Sequence, residues 1–85
     1  MNEAIREVLS EAGAPPLPEP LAGCIVDSHT HLDTVQDIVG IEPAISLAAA
    51  REVGVTRIAQ IGCDVEGSEF AEELARTHKN VIAAV

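Results

Sequence analysis

The sequence predicts an α/β fold in which parallel strands alternate with helices. Three apolar runs suited to strands begin near residues 25, 57 and 81. Between them lie two longer segments whose apolar residues recur at helical spacing. Because a parallel pair of strands needs a crossover connection, usually a helix, this alternation indicates a parallel βαβαβ segment.

The N-terminal part differs in character from the rest of the chain. Ile5, Val8 and Leu9 lie at positions i, i+3 and i+4, which predicts a short amphipathic helix over residues 2–12. The following stretch, "APPLPEPLAG", holds four prolines, which exclude a helix and a central strand. We therefore divide the chain into a helix with a proline-rich extension (residues 1–22) and a domain proper (residues 23–85), and expect the extension to contact the sheet little.

The first half of the domain proper reads as a strand followed by a helix. The strand is "CIVDSH", at residues 24–29, and the helix is "EPAISLAAAREVG", at residues 42–54. Proline suits the first turn of this helix, and Gly54 suits its end. Its inner face is expected to carry Ile45, Ala48, Ala49 and Val53.

The second half of the domain repeats the pattern and adds a last strand. "VTRIAQIG" is a strand, "EGSEFAEELARTHKN" is a helix with Asp64 as its N-terminal cap, and "VIAAV" is an apolar strand. The inner face of this helix is expected to hold Phe70, Ala71, Leu74 and Ala75. Because a domain rarely stops within an apolar strand, we expect the parent fold to continue past residue 85.

Composition narrows the classes of function. Hydrophobic residues make up 47% of the 85 residues, with one Phe and no Trp or Tyr, so a core must be aliphatic. The net charge of −9 repels nucleic-acid phosphates and anionic membranes, so a phosphate-ester substrate would require a metal ion. Without a signal peptide or a membrane-length apolar run, the sequence predicts a cytoplasmic protein. Cys24 and Cys63 are expected to be buried thiols in a reducing compartment.

The stretch "VDSHTHLD" carries the candidate chemistry. His29 and His31 follow an apolar strand at spacing i, i+2, so their side chains should share one face at its carboxyl end. Two imidazoles converging there can bind one divalent metal ion. Asp27 precedes them on the same face and could orient an imidazole or, as the weaker alternative, be a ligand itself. His78 follows the second helix, where a cation suits the helix dipole, and is expected to have no role in the site.

Three segments together resemble the start of a TatD-family metal-dependent hydrolase: "VDSHTHLD", "GVTRIAQIGCD" and "HKNVIAAV", in order over residues 24–85. The resemblance implies that the chain holds the first three strands of a TIM-type (β/α)8 barrel. It implies a deoxyribonuclease that uses one or two divalent ions, such as Mg, Mn or Zn, to hydrolyse phosphodiester bonds in DNA. It also implies a monomer when full length, without membrane association.

The resemblance assigns His29 and His31 as metal ligands and no other catalytic or cofactor-binding residue within this chain. The family's remaining ligands come from later strands, so the 85 residues alone are expected to be inactive. Substrates other than DNA, such as RNA or an aminoacyl ester, stay open, because substrate loops would follow those later strands.

Two other classes of protein also fit part of the pattern. Other barrel hydrolases open on D-x-H-x-H, among them cyclic amidohydrolases and the polymerase-and-histidinol-phosphatase-type phosphoesterases. The latter usually place a histidine after the second strand, where this chain has Gly62, Cys63, Asp64 and Val65. The third possibility is a non-enzymatic α/β module of 85 residues that stands alone.

Overall fold

The computed structural model describes residues 3–85, and within this range the chain forms three strands and four helices. Asn2, the first residue of the predicted N-terminal helix, lies outside the described residues. In chain order the elements are α1 Glu3–Glu11, β1 Ile25–Thr30, α2 Leu32–Val39, α3 Pro43–Glu52, β2 Val55–Ile61, α4 Val65–Thr77 and β3 Val81–Ala84.

The three strands form one parallel sheet in the order β1-β2-β3. Ile58 of β2 pairs with Val81 of β3 in a regular ladder, whereas the β1–β2 pairing is irregular near Ile25 and again before Thr30. The predicted α/β class and parallel strand order are confirmed. Because all strands run the same way, their carboxyl ends meet at one edge of the sheet, where loops usually carry function.

The sheet is covered on one face in the described part of the chain. Ile58 and Val81 are buried under α3 and α4, but Ile82 is 58% exposed and the β1 side chains from Ile25 to His29 are exposed. The apolar sequence of β3 suggested cover on both faces. The second face is open among residues 3–85, and β1 is exposed on both faces, since the side chains of a strand alternate and Ile25 to His29 are all exposed.

The core under the sheet is aliphatic, as the composition required. Leu47, Ile58, Leu74 and Val81 form one buried cluster, with Phe70 packed against it. The inward face predicted for α4 is confirmed, since Ala71 and Leu74 are buried and its other two members pack partly buried on the cluster.

Helix α3 buries a different residue than its sequence pattern suggested. Leu47 reaches the core under the sheet, although it was not among the predicted inner residues. Ala49 is buried and Ile45 is half-buried, but both lie in a second cluster, together with Leu9 of α1 and Ile41. The helix therefore has two buried faces, because α1 covers the one that turns away from the sheet.

The N-terminal extension packs against helices. Ile5 and Leu9 of α1, and Leu17 of the proline segment, belong to the second cluster. The proline segment contains no helix or strand, and its end is tied to the domain by the Leu21 amide, which donates to the Val53 carbonyl at 2.9 Å. The extension thus stabilises α3 from the side opposite the sheet.

Helix α2 was missed by the sequence analysis. It begins directly after His31 and ends at Gly40, whose φ of 73° is the left-handed conformation that favours glycine at a helix end. Its residues carry no N-terminal capping side chain of their own, and none is buried. The segment spans only about two turns and has no capping residue of its own, which explains why the sequence did not predict a helix here.

Helix α4 begins with the cap that its sequence predicted. The Asp64 carboxylate accepts a hydrogen bond from the Gly67 amide at 2.6 Å, which satisfies one of the free amides of the first turn. Gly62, just before it, lies so close to α4 that an added Cβ would stand 2.7 Å from the Ser68 backbone nitrogen. The loop from β2 to α4 is therefore held tightly.

Replacing Asp64 by alanine should destabilise the chain by about 1 kcal/mol, because the Gly67 amide loses its partner. For a domain of this size, that corresponds to a fall in Tm of roughly 4 to 8 °C in a circular-dichroism melt. The matched control is Asp37→Ala on the exposed surface of α2. Equal losses in the two variants would contradict the capping role.

Candidate metal centre

The two candidate histidines lie on either side of the end of β1. His29 is on the strand and exposed, whereas His31 is half-buried and is the residue from which α2 starts. The chain leaves the sheet at this point, so His31 sits just past the strand and not within it. Both residues are at the carboxyl edge of the sheet, where the sequence analysis placed them.

The two imidazole rings are neighbours. Their centroids lie 5.0 Å apart, and the ring planes meet at 78°, an edge-to-face arrangement. With metal–nitrogen bonds of about 2.1 Å, two imidazoles on one ion at angles of roughly 90–110° place their centroids about 4.5 to 5.3 Å apart. The observed separation falls in that range, which edge-to-face ring pairs without a metal ion also share.

A hydrogen bond to a backbone carbonyl determines which ring nitrogen of His31 carries the proton. Nδ1 of His31 lies 3.1 Å from the Ile61 carbonyl oxygen. Because a carbonyl oxygen can only accept, Nδ1 carries the proton and donates, which leaves the lone pair on Nε2. Histidines that bind metals commonly donate their other nitrogen to a carbonyl or carboxylate in this way.

The pair is not joined by a third protein ligand. Among residues 3–85, no group of three or more His, Cys, Asp and Glu side chains is placed to hold a metal ion. The described residues therefore bring together two imidazoles without a third such side chain.

Asp27 lies beside the first histidine. Its Oδ1 accepts a hydrogen bond from the backbone amide of His29 at 3.1 Å. The carboxylate thus holds the strand backbone beside the histidine and does not contact an imidazole ring. It supports the local turn of the chain at the point where the β1–β2 pairing is irregular.

Gln60 is the residue that the sequence analysis missed. It is 0% exposed and is the one buried polar side chain among residues 3–85. Its Oε1 accepts from the Leu32 amide at 2.9 Å and from Thr30 Oγ1 at 3.3 Å, and its Nε2 donates to Asp33 Oδ1 at 3.0 Å. A signal existed in the sequence, since Gln60 shares a strand face with the core residue Ile58.

The two cysteines are free and exposed, so the prediction that they are buried is wrong. Cys24 precedes β1, where the open face of the sheet leaves it uncovered. Cys63 follows β2, and its Sγ lies 4.0 Å from Nδ1 of His31. Because Nδ1 is the nitrogen already engaged by the Ile61 carbonyl, this contact leaves Nε2 untouched.

An acidic groove borders His31. It has a volume of about 380 Å³, and its lining includes Asp33, Asp37, Asp64 and Glu66. Four carboxylates around one histidine attract cations and repel phosphate groups. An anionic substrate could approach this edge only where a cation offsets the charge.

His78 lies away from this site. It follows α4, and its carbonyl accepts from the Val81 amide at the start of β3. Since β3 runs parallel to β1, this position is at the amino edge of the sheet, opposite the paired histidines. His78 therefore serves as an internal control for them.

The chain matches no model of a known protein family, no curated protein and no solved structure. Any assignment of function therefore rests on the residues and on their geometry. No helix in residues 3–85 combines the length and the apolar character needed to cross a bilayer.

Proposed function

We propose that this chain is the N-terminal part of a TatD-like metal-dependent hydrolase that acts on phosphodiester bonds. The observation that carries the proposal is the pairing of His29 and His31, whose ring centroids lie 5.0 Å apart at the carboxyl edge of a parallel sheet. That edge is where barrel enzymes place their chemistry. The proposed setting is the cytoplasm, and the proposed substrate is DNA.

The proposed fold of the whole protein is a (β/α)8 barrel in which β1, β2 and β3 are the first three strands. Their parallel pairing in chain order is the order that such a barrel requires. The open face of the sheet, which carries His29 and Ile82, would then face the barrel interior. In a closed barrel these exposed side chains would be covered by those of later strands.

In this mechanism the residues of the chain bind and orient. His29 and His31 would hold a divalent ion, with one or two Mg, Mn or Zn ions in the complete site. Such an ion polarises a phosphoryl oxygen and activates water for attack on phosphorus. The Ile61 carbonyl keeps the proton on Nδ1 of His31, so Nε2 presents its lone pair. The acidic groove disfavours phosphate unless the cation is in place.

Metal binding by the 85-residue chain tests the proposal directly. Titrating Ni²⁺ or Zn²⁺ by isothermal calorimetry should reveal one weak site, since two imidazoles are the protein ligands at hand. His29→Ala and His31→Ala should each weaken binding by at least about tenfold, as expected for loss of half the ligand set.

The matched control for this titration is His78→Ala, at the opposite edge of the sheet. It should leave the affinity within about twofold, because its ring is remote from the pair. If the parent chain takes up no metal, or if all three variants bind equally, the histidine pair is not a metal site. A non-enzymatic α/β module would then be the better interpretation.

A further inference from the structure

Buried hydrogen bonds connect the strand β2 to both sides of His31. Gln60 accepts from Thr30 before the histidine, accepts from Leu32 after it, and donates to Asp33. The next residue, Ile61, accepts from His31 itself. The Thr30 hydroxyl also donates to the Ala59 carbonyl at 3.0 Å, so four consecutive residues, 30–33, are hydrogen-bonded to three consecutive residues of β2.

This arrangement also replaces a missing helix cap. Helix α2 has no capping side chain of its own, and His31 stands at the capping position with φ −131° and ψ 74°. The Leu32 amide, one of the free amides of the first turn, is satisfied instead by Oε1 of Gln60. The start of α2 therefore depends on a side chain from the neighbouring strand.

A glutamine suits this position for reasons of hydrogen-bonding capacity. Its carbonyl oxygen accepts from the Leu32 amide and shares the single Thr30 hydroxyl proton with the nearer Ala59 carbonyl, and its amide group donates to the Asp33 carboxylate. An aliphatic residue in its place would leave the Leu32 amide unpaired. No buried side-chain nitrogen or oxygen in the described residues lacks a partner, so both polar atoms of the Gln60 side chain are hydrogen-bonded.

We infer that Gln60 is the positioning residue of the metal centre: it fixes the start of α2 so that His31 faces His29. This inference rests on the proposed metal-binding function of the histidine pair. Gln60 itself touches neither imidazole through a hydrogen bond, and its effect passes through residues 30–33. Residues that hold metal ligands in this way typically change the affinity by tenfold to a hundredfold when replaced.

The test compares two glutamine substitutions in the 85-residue chain. Gln60→Met keeps the length of the side chain and removes its hydrogen bonds, whereas Gln36→Met alters the exposed glutamine of α2. Ni²⁺ affinity, measured by calorimetry on protein shown to be folded by circular dichroism, should fall about 10- to 100-fold in the first variant. It should stay within about twofold in the second.

A second pair of variants leaves the buried glutamine intact. Asp33→Ala removes the acceptor of the Gln60 amide, whereas Asp33→Asn retains an oxygen that can accept the same hydrogen bond. Both variants remove one charge from the acidic groove, so positioning predicts a larger loss of Ni²⁺ affinity for Asp33→Ala than for Asp33→Asn. Equal losses in both would show that the carboxylate acts through its charge or as a ligand and that this arm does not position His31. This pair decides the inference if Gln60→Met does not fold.

The ring of His31 supplies a readout that needs no metal. Nitrogen-15 NMR of the histidine rings should show His31 in the tautomer protonated on Nδ1, because of its bond to Ile61. In Gln60→Met the ring should become a mixture of tautomers. If Gln60→Met lowers Tm but leaves both the His31 tautomer and the Ni²⁺ affinity unchanged, Gln60 is a structural residue and the inference fails. If the parent chain binds no metal while the tautomer still responds to Gln60→Met, the positioning of His31 stands and the proposed function fails.

Discussion

In a hydrolase that contains this chain together with the later barrel strands, replacing His31 by alanine should lower phosphodiesterase activity at least about a hundredfold. The substitution removes one of two imidazoles that converge at the carboxyl edge of the sheet. Under the proposed function, loss of that imidazole would weaken metal binding and disturb the orientation of the attacking water. The measurement is the rate of DNA hydrolysis at fixed Mg²⁺ or Mn²⁺.

Two controls distinguish a defect at the proposed metal centre from a general loss of protein structure. His78→Ala, at the amino edge, should change the rate less than about twofold, since a histidine at the end of a surface helix acts on local stability alone. Excess Mn²⁺ should partly restore the His31→Ala rate if the defect is mainly one of affinity. Similar rates for the two alanine variants would rule out a catalytic role for the pair.

The predictable part of the fold came from strong local signals. Three apolar runs bounded by polar or glycine residues gave the strands, and Asp64 ahead of an amphipathic segment gave the start of α4. Helix α2 was not predicted because the side chain that caps it belongs to Gln60, which lies 28 residues away from Leu32 in the sequence. The residues of a helix do not show that its capping side chain comes from another strand.

The burial errors have a common physical origin. Helix α3 packs against two partners, the sheet and α1. A single amphipathic face predicts the contact with only one partner, so Leu47 was not among the predicted inner residues. The exposure of Cys24 and Cys63 follows from the open sheet face and from the position of Cys63 at the sheet edge. Residue type alone suggests burial for a cysteine, but burial depends on which elements cover the position.

The candidate site was predictable in part. The i, i+2 spacing correctly placed the rings of His29 and His31 side by side, because the strand persists to Thr30. The role suggested for Asp27 stays a prediction, and the contact that its carboxylate makes is with the backbone amide of His29. The support around His31 comes from β2, and such tertiary hydrogen bonds carry no signature in a single sequence.

The second large effect concerns stability: replacing Leu74 by alanine should cost about 2 to 5 kcal/mol. Leu74 is 7% exposed and packs with Leu47, Ile58 and Val81 in the core beneath the sheet. The cavity left behind adds to the lost hydrophobic transfer energy, because close-packed neighbours relax only partly. At a typical stability of roughly 0.05 to 0.15 kcal/mol per residue, this loss is a large share of the total.

A matched substitution on the same helix distinguishes core packing from helix propensity. Val65, in the first turn of α4, is 76% exposed, so Val65→Ala removes little buried surface. Thermal melts of the 85-residue chain should show a fall in Tm of roughly 10 to 30 °C for Leu74→Ala and only a few degrees for Val65→Ala. The aliphatic core makes the contrast sharp, since the single Phe lies at its margin and no Trp or Tyr can take over the lost contacts. A Leu74→Ala chain that melts within about 4 °C of the parent would mean that α4 is not packed on the sheet as described.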